Sequence, residues 1–227
     1  MDVVARAESE RGEVVLRRRV DDGALELRVN GVFVMDDRET STERQLARTT
    51  VEALAASSGG AAGQWRVVVG GLGLGYTLAE VLAEPRVASV LVAEIEPDLV
   101  DWHRDGLVPG SPLVGASGDR VELVVGDVRD VVAGLPPGSV DLILLDVDNG
   151  PDFLVYDANA GVYESPFLPA CRDALAAGGL VAVWSADSSP ALTAALEAVF
   201  GSTQELALPV TLQTRHTTYH LFLAPSR

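Results

Sequence analysis

The sequence predicts an α/β fold in which helices flank a mostly parallel sheet, with a small β unit in front. Three observations carry that prediction. Short apolar runs alternate with helical patterns between residues 66 and 200, as βαβ units require. The chain is 48% hydrophobic but only 5% aromatic, so Val, Leu and Ala must supply the buried surface, as in a sheet covered on both faces. Where the first apolar run gives way to a helical pattern, the chain reads Gly70-Gly71-Leu72-Gly73-Leu74-Gly75, a turn made for close approach of a ligand.

Residues 13–20 and 24–36 have strand composition, and Asn30-Gly31 between Val29 and Val32 is a hairpin signal, because a tight type I′ turn needs positive φ at both central positions. Residues 41–57 turn helical from Ser41-Thr42-Glu43, with Leu46, Thr50, Ala53 and Leu54 on one face. The run Ser57-Ser58-Gly59-Gly60-Ala61-Ala62-Gly63 reads as a linker, dividing the chain into residues 1–62 and 63–227. Beyond it, strands are expected at 66–70, 89–95, 121–126, 141–146 and 180–186. Helices are expected at 77–83, 97–105, 128–133, 165–177 and 190–200. Segments 203–210 and 215–224 have no helical pattern between them and predict an antiparallel hairpin at one edge, completing a seven-stranded sheet.

A formal charge of −16 sets the surface against a phosphate backbone, so nucleic acid is not an expected partner; the acidity reads first as a solubilising surface with no chosen partner, and second as one suited to a cationic small molecule. Cys171 is the sole cysteine, which excludes an intrachain disulfide and a multi-thiolate metal site and fits inert core packing. Residues 1–8 lack a secretion-signal pattern, and no apolar run approaches a membrane span, so a cytoplasmic protein without a membrane partner is expected. Tyr156, Tyr163, His103, His216 and His220 show no triad or ligand spacing, and no metal is expected. His216 and His220 read as a surface pair on an edge strand. Ser185 and Ser188 lack a nucleophile-elbow context.

The chemistry concentrates where strands end. Gly71, Gly73 and Gly75 are spaced G-x-G-x-G; Tyr76 and Leu78 stand where a dinucleotide fingerprint needs its last small residue, which argues against NAD. About twenty residues on, the second strand ends at Glu94-Ile95-Glu96, where an acid can accept from both ribose hydroxyls. Glu94 is the predicted ribose ligand. At Gly126-Asp127-Val128 the acid is read two ways, as acceptor for an adenine amino group or as a helix cap. Asp146 and Asp148 close the fourth strand, placed to hold or deprotonate a cationic amine, or else to brace the loop that follows.

This order of motifs resembles the spermidine synthase family and, more broadly, the Rossmann-like class I methyltransferase fold. The family's glycine turn, E-I-D, G-D and D-x-x-D-P find counterparts in Gly70–Gly75, Glu94-Ile95-Glu96, Gly126-Asp127-Val128 and Asp146-Val147-Asp148-Asn149-Gly150-Pro151. Tyr163-Glu164-Ser165-Pro166-Phe167 resembles its E-S-[YF]-Y segment. The resemblance implies S-adenosylmethionine or its decarboxylated form as cofactor, a small-molecule acceptor and a homodimer. It also implies cofactor contacts from Gly70, Gly71, Gly73, Gly75, Glu94, Ile95, Gly126, Asp127, Val128 and Asp146, with catalysis by Asp146 and Asp148. Departures from the family bear on activity. Gly73 stands where the family has an Asp that helps hold the donor's amino chain. Asn30-Gly31-Val32-Phe33-Val34 lacks the Gln of its D-G-x-x-Q hairpin, and residues 37–43 keep only Asp37 and Glu43 of its D-E-x-x-Y-H-E polyamine segment. Ungapped, the family's catalytic acid falls on Asn149; with the gap moved, on Asp148. Three functions are consistent: methyl transfer to a small acceptor, which the lost polyamine residues favour; aminopropyl transfer; and nucleoside binding without catalysis.

Overall fold

Four antiparallel strands open the chain in the computed structural model, which describes residues 2–57, 63–113, 119–147, 167–212 and 215–226. They are β1 Asp2–Ser9, β2 Gly12–Arg18, β3 Leu25–Val29 and β4 Val32–Asp36, paired in chain order. β1 was not expected. It has no fully buried side chain, so it lacks the apolar alternation that betrays a strand; its pairing with β2, from Asp2↔Arg18 to Ser9↔Gly12, holds it. Asn30 and Gly31 turn the β3–β4 hairpin at φ 52° and 78°, as their sequence predicts, and Asn30 Oδ1 accepts from Glu13 N at 2.9 Å. β4 carries one extra residue: Leu27 faces Met35 while Arg28 faces Phe33, leaving Val34 as a bulge.

The seven-stranded sheet has the order β10-β11-β9-β8-β5-β6-β7. Its parallel strands are β5 Trp65–Gly70, β6 Val87–Glu94, β7 Val121–Val125, β8 Val140–Leu145 and β9 Leu175–Ser185; β10 Gln204–Leu212 and β11 Arg215–Pro225 form the antiparallel hairpin at one edge. Both faces are covered. Val67, Val69, Leu142 and Leu144 face one core, whereas Val68, Ile143 and Leu145 face the other, which is why these strands read as unbroken apolar runs. From β5 the chain moves outward through β6 and β7, then returns to β8 on the other side of β5. This reversal opens a crevice at the carboxyl ends of β5 and β8, where open α/β sheets bind ligands.

Helix α1, Ser41–Ser57, buries Leu46, Ala47, Val51 and Leu54 in the same core as Val67 and Leu144. It thus packs on the larger sheet although it precedes the Ser/Gly linker. Its Arg44 and Arg48 reach Glu80 of α2, Tyr76–Ala83, at 3.2 and 2.6 Å. Helix α3 is Pro97–Arg104; α4, Val128–Ala133, α5, Phe167–Ala174, and α6, Pro190–Phe200, supply the opposite core, with Cys171 fully buried there. No helix of the described residues is long and apolar enough to cross a membrane.

Two sequence expectations are corrected. The helix expected through residue 177 ends at Ala174, because Leu175 pairs with Val140 at the start of β9 and Gly178, at φ 77°, interrupts the strand before Leu180 pairs with Leu142. β11 is not an edge strand but lies between β10 and β9, so His220 sits opposite both Ala207 and Ser185. His216 lies beyond the β9 pairing, with Nδ1 3.1 Å from Thr211 Oγ1.

Burial sets the energetic scale of the sheet. Leu144 is fully buried, and Leu144→Ala is expected to cost about 3 kcal/mol in urea unfolding, from lost transfer energy and the cavity left behind. Val125→Ala on the edge strand β7, where Val125 is 49% exposed, is expected to change stability by less than about 1 kcal/mol.

Candidate active site

Two backbone bonds fasten the glycine turn to the neighbouring strands: Asp146 N donates to Gly70 O at 2.9 Å, and Gly71 N donates to Ala93 O at 2.8 Å. At Gly71, with φ +88°, a Cβ would lie 2.1 Å from the Asp146 carbonyl oxygen. Only glycine lets β8 come this close.

Glu94, at the end of β6, is 6% exposed. Its two carboxylate oxygens each accept one backbone bond at 2.8 Å, Oε2 from Leu72 N and Oε1 from Glu96 N. Burial pushes the carboxyl above the usual range, opposed by these two N–H donors. Each oxygen keeps a second lone-pair direction for a ligand hydroxyl. Beside it, Arg11 from the β1–β2 turn bonds Glu96 through Nε at 2.7 Å and Nη2 at 3.2 Å, and Ile95 O through Nη2 at 2.9 Å. That fork fastens the small sheet to the end of β6, a contact between residues 85 positions apart that no local pattern announces.

His103 of α3 is fully buried. Its Nε2 lies 2.8 Å from Gly73 O, and its Nδ1 lies 2.8 Å from Ser111 Oγ, which in turn accepts from Leu113 N at 3.3 Å. A carbonyl can only accept, so the ring carries its proton on Nε2 and steadies the turn from below. Burial holds its pKa below the ordinary imidazole value, favouring the neutral ring.

Around Thr77, in the first turn of α2, two acids meet. Thr77 Oγ1 donates to Asp146 Oδ2 at 2.6 Å and lies 3.3 Å from the Glu43 carbonyl oxygen. Glu43, in the first turn of α1 and 7% exposed, accepts from Thr42 Oγ1 at 3.0 Å. Burial raises both carboxyls, and Asp146 raises Glu43 further. Among the described residues neither acid has a cationic partner. The arrangement is short of one positive charge.

One pocket joins these features. Gly71, Gly73, Glu94, Ile95 and Asp146, named from the sequence as cofactor contacts, line it together with Glu43, Met35 and Trp184. Trp184 packs against Tyr219, ring centroids 4.8 Å apart. Gly70, Gly75, Gly126, Asp127 and Val128 stand outside its wall. Gly75 is the N-cap of α2, and Val128 packs under Gly70 in the core. Asp127 caps α4 by accepting from Arg129 N at 2.8 Å, and pairs with the same arginine's guanidinium. Asp148, Asn149, Tyr156 and Tyr163 lie outside the described residues. Sequence reasoning missed Arg11, Met35, Thr77 and Trp184 and gave His103 no role; of these, only Thr77 carried a local signal, a hydroxyl in the first helical turn after the glycines.

The geometry yields two expectations. Gly71→Ala is expected to cost at least about 2 kcal/mol in stability, from the collision with Asp146, whereas Gly110→Ala, at φ +72° with nothing within 4 Å of its Cβ, costs about 1 kcal/mol of backbone strain alone. Glu43 and Asp146 are acids whose folded values are raised to about 8 and about 6, so the folded chain keeps protons that the unfolded chain releases, and stability falls with pH from the ordinary carboxylate range up to those values and levels off above them. Above about pH 6 the remaining fall in urea unfolding, at most about 1.4 kcal/mol per pH unit, is expected to come from Glu43, and Glu43→Gln flattens it.

No protein-family model matches the sequence. Over 120 residues, 51% of this chain, it is 32% identical to putrescine N-methyltransferase 3 of Nicotiana tabacum and, over the same share, 32% identical to putrescine N-methyltransferase 1 of Nicotiana attenuata. The matched region covers 29% and 28% of those two proteins. Two solved structures align with the whole chain at 19% identity: spermidine synthase from Thermotoga maritima, with a TM-score of 0.80 over 73% of that chain, and a spermidine synthase in complex with the transition-state analogue AdoDATO, with 0.81 over 74%. The chain shares its fold with the spermidine synthases, and over half its length it is similar in sequence to putrescine N-methyltransferases.

Proposed function

We propose that the chain is an S-adenosylmethionine-dependent transferase that methylates a small cationic amine. The observation that carries this reading is a pocket holding a backbone-anchored acid, Glu94, beside the glycine turn and two acids, Asp146 and Glu43, that have no cationic partner among the described residues. A carboxylate with unused lone pairs among glycines and aliphatic side chains suits an adenosyl nucleoside. Glu94 would hold the ribose hydroxyls, with Ile95, Gly71 and Gly73 forming the surface beside it. When bound, the sulfonium supplies an electrophilic methyl group. The protein's residues do the rest. Asp146 and Glu43 draw in the ammonium group and offset its desolvation. Asp146, oriented by Thr77, takes the proton that frees the nitrogen lone pair; Asp148 is the second candidate for that base. With the donor bound beside Glu94, the freed lone pair would face its methyl group, and the departing thioether would leave uncharged.

The similarity to putrescine N-methyltransferases supports methyl transfer. Aminopropyl transfer is the second reading, supported by the fold shared with spermidine synthases; Gly73 and the missing Gln, Tyr and His of the polyamine segment weigh against it.

Incubation with putrescine and either donor, followed by mass spectrometry, separates the readings. N-methylated amine with S-adenosylhomocysteine is the expected product pair; robust formation of spermidine with methylthioadenosine overturns it in favour of aminopropyl transfer. Glu94→Ala is expected to weaken adenosyl binding about ten- to a hundredfold by calorimetry. Asp146→Asn should lower kcat/KM about a hundredfold or more while nucleoside affinity changes by less than about threefold.

A further inference from the structure

We propose that His103 is a positioning residue that sets the glycine turn before a nucleoside arrives, by fixing which way the peptide between Gly73 and Leu74 points. Its consequence for ligand binding rests on the adenosyl reading above. Gly71, Gly73 and Gly75 all have positive φ, 88°, 50° and 86°, and glycine resists little when a neighbouring peptide plane rotates. A turn built this way takes its rigidity from outside. At the Gly73–Leu74 peptide two side chains supply it from opposite ends. His103 Nε2, on α3, lies 2.8 Å from Gly73 O, and Leu74 N donates to Met35 Sδ, on β4, at 3.1 Å.

The two contacts have opposite polarity, since the imidazole presents a donor and the thioether an acceptor. Were the peptide to flip, the Leu74 N–H would meet the ring N–H and the Gly73 oxygen would meet the sulfur. Both ends would then be buried and unsatisfied. One orientation alone suits the pair, provided that the ring proton stays on Nε2, and a second chain of bonds keeps it there. Ser111 Oγ accepts from Leu113 N at 3.3 Å, so its hydrogen is available to His103 Nδ1 at 2.8 Å. His103 is fully buried and Ser111 is 8% exposed, so water competes little for either nitrogen. The same segment backs the turn where α2 begins: a Cβ on Gly75 would lie 2.8 Å from Pro112 Cδ and 3.2 Å from His103 Cε1.

Nitrogen NMR of the imidazole in the unaltered protein is expected to show a neutral ring near about pH 7, protonated on Nε2 and bare on Nδ1; any other protonation state overturns the proposal. Hydrogen exchange of the ligand-free protein, read by mass spectrometry, then compares two variants. His103→Gln brings an amide N–H to the position of Nε2, whereas the shorter side chain of His103→Asn places it near that of Nδ1. His103→Asn is expected to speed exchange in the glycine turn at least about tenfold with β5 and β8 unchanged, and His103→Gln to restore protection. By calorimetry, methylthioadenosine affinity falls at least about tenfold in His103→Asn and stays within about threefold in His103→Gln. Equal behaviour of the two variants, or loosening of β5 and β8 together with the turn, marks a merely structural histidine and overturns the proposal. If His103→Asn does not fold, the ring's protonation state and Ser111→Ala, which removes the hydroxyl that pins the proton and is expected to loosen the turn in the same way, decide the matter. Exchange that responds as expected in a protein that binds no methylthioadenosine removes the adenosyl reading and leaves the role of His103 in the turn standing.

Discussion

A buried carboxylate anchored by backbone amides organises this protein's site. Glu94 is taken out of water at the end of β6, and its charge is offset by the N–H groups of Leu72 and Glu96. An unpaired ion in that position would be strongly destabilising. The two bonds turn that liability into a constraint, because Leu72 belongs to the glycine turn and Glu96 to the start of α3. The turn cannot drift without leaving a charge unsatisfied. His103 bonds the Gly73 carbonyl from α3, so the same segment grips the turn at two points.

From this anchor the small sheet is drawn in. Arg11 spans from the β1–β2 turn to Glu96, whose side chain is nearly buried, and Met35 rests its sulfur on Leu74 N. One contact is charge-assisted and forked, the other soft and adaptable. Leu16, Leu27 and Met35 share a core with Leu74, Leu99 and Trp102, so burial of apolar surface reinforces both. The small sheet thereby becomes one wall of the pocket.

Charge is distributed unevenly within that pocket. Glu96 has its arginine and Glu94 its amides, but Glu43 and Asp146 rely on Thr42, Thr77 and proton uptake. Two acids that raise one another's carboxyls, with no cationic partner among the described residues, favour an ammonium ligand, which gives the pocket a reason to discriminate by charge. The strongly acidic surface, with a net charge of −16, works in the same direction at longer range.

The sequence by itself determined the alternation of strands and helices, the Asn30-Gly31 hairpin, the glycine turn and the acids at the ends of β6 and β8. Each of these is local: periodicity, positive φ or position relative to a strand end fixes it within a few residues. It did not reveal β1, whose half-exposed side chains carry no strong pattern, nor the end of α5 at Ala174, where pairing of Leu175 with Val140 overrides an alanine-rich, helix-prone stretch. Tertiary structure alone joined Arg11 to Glu96, Glu43 to Asp146 and Met35 to Gly73. Those partners lie tens of residues apart and meet only because the chain reverses direction between β7 and β8 and folds the small sheet back over the crevice that opens there, and no local spacing encodes that encounter.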